Sequence, residues 1–150
     1  MSNYSERILQ ESLHQARYYT QKAPSSGHGI LDPETEEYID QADIVAIKAV
    51  TRHVLPGGGG SDGSIQMRIP EVLVIEEKHV QPDTCQILDD EKQMLERIEE
   101  VTAARGLIAV KWKHQKGDHR FFSIEDLQDT GQHWKITTET SGMDLNEIRQ

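Results

Sequence analysis

Apolar residues recur three and four positions apart at the start of the chain. Ile8, Leu9, Leu13 and Ala16 stripe residues 3–17, which predicts an amphipathic helix. Asn3, with Glu6 three positions on, supplies a capping-box start. Tyr18 and Tyr19 lead into a short extended piece, Ala23-Pro24-Ser25-Ser26-Gly27 punctuates the chain, and 27–40 reads as a polar loop. The pattern then changes. Ile44, Val45, Ile47 and Val50 suit a pleated surface and predict a strand over 43–50. Residues 65–80 predict another, most clearly from Glu71 to Val80. The run PGGGGSDG at 56–63 between them cannot hold regular structure cheaply. The expectation is a long antiparallel hairpin whose Gly-rich tip is mobile and dispensable for chemistry.

In the second half, Met94, Leu95, Ile98, Val101 and Thr102 share one face of a helix predicted over 88–105, with Gly106 as its stop. LIAVKW at 107–112 reads as a buried strand, Lys116-Gly117-Asp118 as a turn, and 119–122 as its antiparallel return. Ser123 caps a short helix through Asp126, with Gly131 ending it. A last strand spans 133–138, and 139–150 reads as a loose polar tail. The order α, β, β, β, α, β, β, short α, β makes this an α/β chain with one domain over 1–138 and no internal repeat.

With 150 residues, 35% hydrophobic and 28% charged, the chain suits one domain and is not polar enough for disorder. No run reaches the ~18 apolar residues of a membrane span. No basic segment followed by an apolar one marks a secretory signal. The lone Cys85 forbids an intrachain disulfide, and a reducing, cytoplasmic setting is expected. The net charge of −10 argues against bulk attraction to a polyanion. The charge is uneven, however. Asp32, Glu34, Glu36, Glu37, Asp40 and Asp43 lie in a stretch without Lys or Arg, whereas Arg105, Lys111, Lys113, Lys116 and Arg120 face only Asp118 in theirs. A local basic surface is what a polyanion feels.

The chemistry concentrates in PEVLVIEEKHV, Pro70 to Val80. Alternation along a strand puts Glu76 and Lys78 on one face and turns Glu77 away. Val72 to Ile75 read as a strand buried on both faces. The plain alternative, which strand physics alone favours, is that the strand exits to solvent at Glu76 and all three charges are wet. If they are not, burial requires that they pair or bind a metal. In a hairpin, Asp43 can lie beside Glu76. Two carboxylates with room for water suit Mg²⁺, and a neighbouring Lys can orient an attacking water, a set fit for phosphodiester hydrolysis. Taken alone, Asp43 is an ordinary strand-entry residue and Glu6 a helix-capping one. The glycine run lacks the Lys and helix of a phosphate loop. The seven histidines lack metal-ligand spacing, and Cys85 has no evident base partner. Trp112, Trp134, Phe121 and Phe122 are most simply core.

These motifs, in this order, resemble the archaeal Holliday junction resolvase family of the PD-(D/E)xK nuclease superfamily, and particularly members from salt-loving archaea or their viruses. The resemblance runs through Glu6-Arg7, the loop Ala23 to Gly27, the strand head at Asp43, and Ile75-Glu76-Glu77-Lys78. It continues through Val101 to Trp112, Arg120 to Leu127, and His133 to Thr140. It implies a restriction-endonuclease-like αβββαβ core, a mixed central sheet flanked by helices. It implies a homodimeric endonuclease that nicks opposed strands of four-way DNA junctions with Mg²⁺, or Mn²⁺. By the same resemblance Asp43, Glu76 and Glu6 would hold metal, and Lys78 would position the nucleophilic water. Ser26 would help shape the site. Arg7 and Lys22 would meet phosphates. Beside the resemblance, the local basic stretch makes Lys111, Lys113 and Arg120 further expected DNA contacts.

The chain departs from the family at several points. Lys22 replaces an Arg and so loses the bidentate fork. Ala42 stands where the superfamily has Pro, and His79 where Ser often follows the Lys. The interval between Asp43 and Glu76 is longer than usual, which a flexible insertion tolerates at modest entropic cost. Two alternatives are a related nuclease acting on flaps or duplex, and a catalytically silent DNA-binding subunit. The intact Asp43, Glu76 and Lys78 set argues against the latter.

Overall fold

The computed structural model describes residues 4–22, 30–31, 34–36, 38–39, 42–54 and 65–148. Helix α1 spans Tyr4–Gln15 and buries Ser5, Leu9 and Leu13. It is shorter than the sequence pattern because Arg17 adopts a left-handed φ of 71°. The Arg17 and Tyr18 amides then close onto His14 and Leu13 carbonyls, both at 2.9 Å. This is a Schellman-type stop built without glycine. Strand β1 follows at Tyr19–Lys22. Inside the segment read as loop, β2 (Ile30–Leu31) pairs with β3 (Tyr38–Ile39).

The long hairpin forms as expected. Strand β4 (Ile44–Val54) runs antiparallel to β5 (Ile65–Val80), in register from Ile44↔Ile75 to Val54↔Ile65. The Gly-rich tip lies outside the described residues. After β5 come β6 (Thr84–Ile87), which the sequence pattern missed, and helix α2 (Asp89–Thr102). Ala103, at φ 58°, ends α2. Gly106 is not its stop but sits in β7 (Arg105–Trp112). A Cβ there would touch the Leu95 and Glu99 side chains at 3.4 Å, so the glycine serves close helix–strand approach. Strand β8 (Arg120–Ser123) returns from β7. The Ser123–Asp126 cap is present, with Ser123 N–H donating to Asp126 Oδ2 at 3.0 Å. It supports only one 3₁₀ turn, Ile124–Asp126. Gly131, at φ 94°, belongs to the turn joining β9 (Gln128–Asp129) to β10 (Trp134–Thr137).

The main sheet has the order β1-β4-β5-β7-β8, with β5 and β7 parallel and the other pairs antiparallel. Helix α2 lies in the β5–β7 crossover, and β6-β10-β9 form a second sheet. The core divides by face. Leu9 and Leu13 of α1 pack with Ile44, Leu73, Ile75, Leu107 and Phe121 on one side. Leu95 and Ile98 of α2 pack with Val74, Ile108, Val110, Phe122 and Ile136 on the other. The apolar run before Glu76 is therefore covered on both faces.

Residues 139–148 are not loose. Phe121 and Met143 exchange backbone hydrogen bonds at 2.8 Å, and helix α3 (Leu145–Ile148) buries Ile148 among the α1-side core. Gly142 lies so close to Phe122 that a Cβ would sit 2.7 Å from its ring. Polarity misled the reading here, because two apolar anchors, Met143 and Ile148, are enough to dock a short segment.

Candidate active site

The alternating pleat of β5 distributes its terminal charges between the two faces. Glu76 and Lys78 continue the Val74 face toward α2, while Glu77 continues the Leu73–Ile75 face toward α1. None of Glu76, Glu77 and Lys78 is fully wet. Glu77 is buried. Its Oε1 accepts from Ser5 Oγ at 2.5 Å and lies 3.1 Å from His119 Nε2, itself buried. Glu77 thus ties α1 and the approach to β8 onto the back of β5, and its side chain is structural.

Asp43 precedes Ile44, whose partner is Ile75, so it falls beside Glu76. Its Oδ2 accepts the Glu77 backbone N–H at 2.9 Å. Burial, then the Asp43 charge, then a hydrogen bond with Asp43, push the Glu76 carboxyl up to about 9, against a smaller opposing pull from Lys78. Both the burial and the Asp43 carboxylate favour the protonated form of Glu76 when no cation is bound. Asp43 and Glu76 are the residues that would hold a cation here, whose charge would relieve the repulsion between the two carboxylates. The all-oxygen donor pair suits a hard divalent ion that keeps several of its waters.

Lys78 Nζ, half-buried, is ion-paired with Glu91 Oε2 from the first turn of α2. Burial alone would lower its pKa, but the hydrogen bond and charge of Glu91 outweigh that and raise it, so Lys78 is a cation. Glu91 went unnoticed in the sequence. Three acids begin that helix, and only the fold shows which one meets Lys78.

Glu6 stands apart from the pair. Its Oε2 is 2.8 Å from Lys22 Nζ. Among the described residues no three acid, His or Cys side chains gather to hold one metal ion, so the expected Asp43–Glu76–Glu6 ligand set is not assembled. Ser26 lies outside the described residues, and Arg7 is exposed on α1.

The predicted cations collect at the same end of the sheet as the acids. Lys22 ends β1 opposite Ile44, Lys111 lies opposite His79, and Arg120 opposite Val110. A groove of about 290 Å³ is lined by Lys111, Lys116, His119 and Arg120, together with Asp118 and Asp144. Lys111 Nζ donates to Gly117 O at 2.6 Å, and Arg120 to Gly142 O at 2.9 Å. Lys113 is exposed, with its amide extending the ladder to Val80 O at 2.9 Å. Cys85 is fully buried, and burial pushes its thiol up to about 11, which leaves it inert. Trp112, Phe121 and Phe122 are core as expected, while Trp134 is half-buried under the Lys92 ammonium.

A mixed sheet with helices on both faces, carrying two carboxyls and a lysine where a buried strand ends, is the architecture of a PD-(D/E)xK nuclease. The model of the archaeal Holliday junction resolvase (Hjc) family matches residues 49–150. The chain belongs to that family, and with it to the endonucleases that resolve four-way DNA junctions in recombination and repair. No curated protein sequence matches the chain. Among solved structures it is similar to Archaeoglobus fulgidus Hjc, a Holliday junction resolvase from an archaeal hyperthermophile. That match has a TM-score of 0.68 and 20% identity, over 97% of this chain and 98% of that one. The family match includes Glu76 and Lys78. Asp43 lies before it and is tied to the site by strand register. Among the described residues no helix is long and apolar enough to cross a membrane.

Proposed function

We propose that the chain hydrolyses phosphodiesters of four-way junctions with Mg²⁺, or Mn²⁺, as a homodimer that nicks two opposed strands. The observation that carries this is the Asp43–Glu76 carboxyl pair with the Lys78 cation on the same strand face as Glu76. The bound cation would supply Lewis acidity and a lowered water pKa. Asp43 and Glu76 would hold it after Glu76 gives up its proton. Lys78 remains protonated, and so orients the attacking water and balances charge developing on the phosphate rather than acting as a base. Glu6 and Lys22 form a pair at the neighbouring strand end, where Lys22 can meet a phosphate and Glu6 can complete the acidic site once released. Ser26 and Arg7 are proposed as site-shaping and phosphate contacts. A two-fold dimer with both sites on one face matches a substrate that offers two symmetry-related strands.

A labelled four-way junction, a linear duplex and a flap, each incubated with Mg²⁺ or EDTA, test the proposal. Paired nicks in the junction alone, and only with Mg²⁺, are expected. Cleavage of the flap or duplex at equal rates would give the substrate to a related nuclease activity. No cleavage of any substrate would leave a silent binding subunit.

Lys111, Lys113 and Arg120 give this acidic protein a local basic end, and we assign them to the DNA backbone. Reversing Lys111 and Lys113 to Glu is expected to weaken junction binding and to flatten its log–log salt dependence. Each lost phosphate contact is worth a slope of about 0.9. Fluorescence anisotropy across a salt series measures both quantities, and an unchanged slope would remove these lysines from the interface.

A further inference from the structure

We propose that Glu91 is a positioning residue of the cleavage reaction, holding the Lys78 ammonium at the carboxyl pair through an ion pair from α2. The inference rests on the reading of Lys78 as part of the nuclease site.

A lysine ends in a compact charge on a flexible four-carbon stem. For such a group to act at a fixed point, something must remove that freedom. Glu91 is built to do so, because its two oxygens are committed separately. Oε1 accepts the Leu88 backbone N–H at 3.0 Å, closing the start of α2, and Oε2 takes the Lys78 ammonium. The carboxylate is therefore anchored to a helix that is itself fixed by Leu95 and Ile98 in the core.

Its neighbours do not share the task. Asp89 bonds Gln93 Nε2 at 2.8 Å and Trp134 Nε1 at 3.1 Å, and Asp90 is exposed. Lys92, the nearest competing cation in sequence, is paired with Glu96. Both members of the Lys78–Glu91 pair are largely withdrawn from water, with side-chain exposures of 24% and 18%. Solvent therefore screens this pair less than a surface one. Helix start and lysine placement are thus joined in one residue.

Glu91→Gln separates the two tasks, since a glutamine oxygen can still accept the Leu88 N–H while the ion pair is lost. Wild type, Glu91→Gln, Lys78→Ala and the double variant are compared by single-turnover nicking and junction Kd. Thermal stability and the acylation rate of Lys78 by an amine reagent, read by mass spectrometry, complete the set. Glu91→Gln is expected to lower the nicking rate about 10–100-fold, the cost of a misplaced reacting group. Junction Kd and Tm should stay near wild type, and Lys78 should acylate several-fold faster. The double variant should nick no more slowly than Lys78→Ala alone. Wild-type nicking by Glu91→Gln, unchanged acylation, or a further loss on the Lys78→Ala background would each overturn the proposal. Undiminished nicking by Lys78→Ala would instead overturn the reading of Lys78 on which it rests.

Discussion

Glu76→Gln is expected to lower junction cleavage by about 10²–10³-fold or more, while junction binding survives or tightens. On the proposed mechanism, the exchange keeps the size of the side chain but removes a charged ligand from the place where the transition state would need a neutralising cation. Less negative charge near the DNA also favours binding. Glu77→Gln makes the contrast. The Glu77 side chain faces α1 and not the carboxyl pair, and a Gln oxygen can still accept from Ser5 and His119. Its nicking should stay within a few-fold of wild type. The cost should fall on stability instead, about 1–3 kcal/mol for an imperfectly satisfied buried group. Rates per folded molecule, with denaturation midpoints alongside, separate the two effects. An inactive Glu77→Gln beside an active Glu76→Gln would mean that the strand is shifted by one residue, since such a slip exchanges the faces completely. Activity in both would place the metal elsewhere.

The parts of this fold that were legible in the sequence are those where one local rule acts alone. The period of two along Val72 to Lys78 fixes which charges share a face, and β-branched runs around the glycine tract fix the hairpin. Local rules failed where a residue other than glycine takes a left-handed turn, as Arg17 does, or where a partner distant in sequence decides. Tyr18 and Arg17 close a helix that no glycine marks. Strand β6 is four residues long and exists because β10 pairs with it. Met143 and Ile148 dock a segment of polar composition. The same holds in the site. Strand logic alone would leave Glu76, Glu77 and Lys78 in water. Their burial depends on α1 and α2 closing over opposite faces of β5, and on Ser5, His119 and Glu91, none of which has a signature in sequence. The resemblance to junction resolvases was sound for the family, and it carries no signal of the pairing of Glu6 with Lys22 that the fold shows.

The second large effect concerns stability without metal. The Glu76 carboxyl titrates near 9 in the folded protein and near 4.5 when freely solvated. Folding therefore binds a proton between these values, and the associated stability is fully present below about 4.5 and is lost as pH rises toward 9. At pH 7, 2.5 pH units into that window, the loss is about 3 kcal/mol. Glu76→Gln cannot ionise and escapes it. In EDTA at pH 7–8 the variant is expected to melt several degrees higher than wild type, up to about 10 °C, and the gap should close toward pH 5. Mg²⁺ should reverse the order. On the proposed mechanism it would take the place of the Glu76 proton, and so raise the wild-type Tm with proton uptake by the buffer while leaving the variant nearly unmoved. Differential scanning fluorimetry of both proteins from pH 5 to 9, with EDTA and with Mg²⁺, reads the difference directly and cancels the other titrating groups. Parallel Tm curves in EDTA would mean that Glu76 carries no proton at neutral pH. The carboxyl pair would then not be the strained, cation-seeking site on which the hydrolytic mechanism depends.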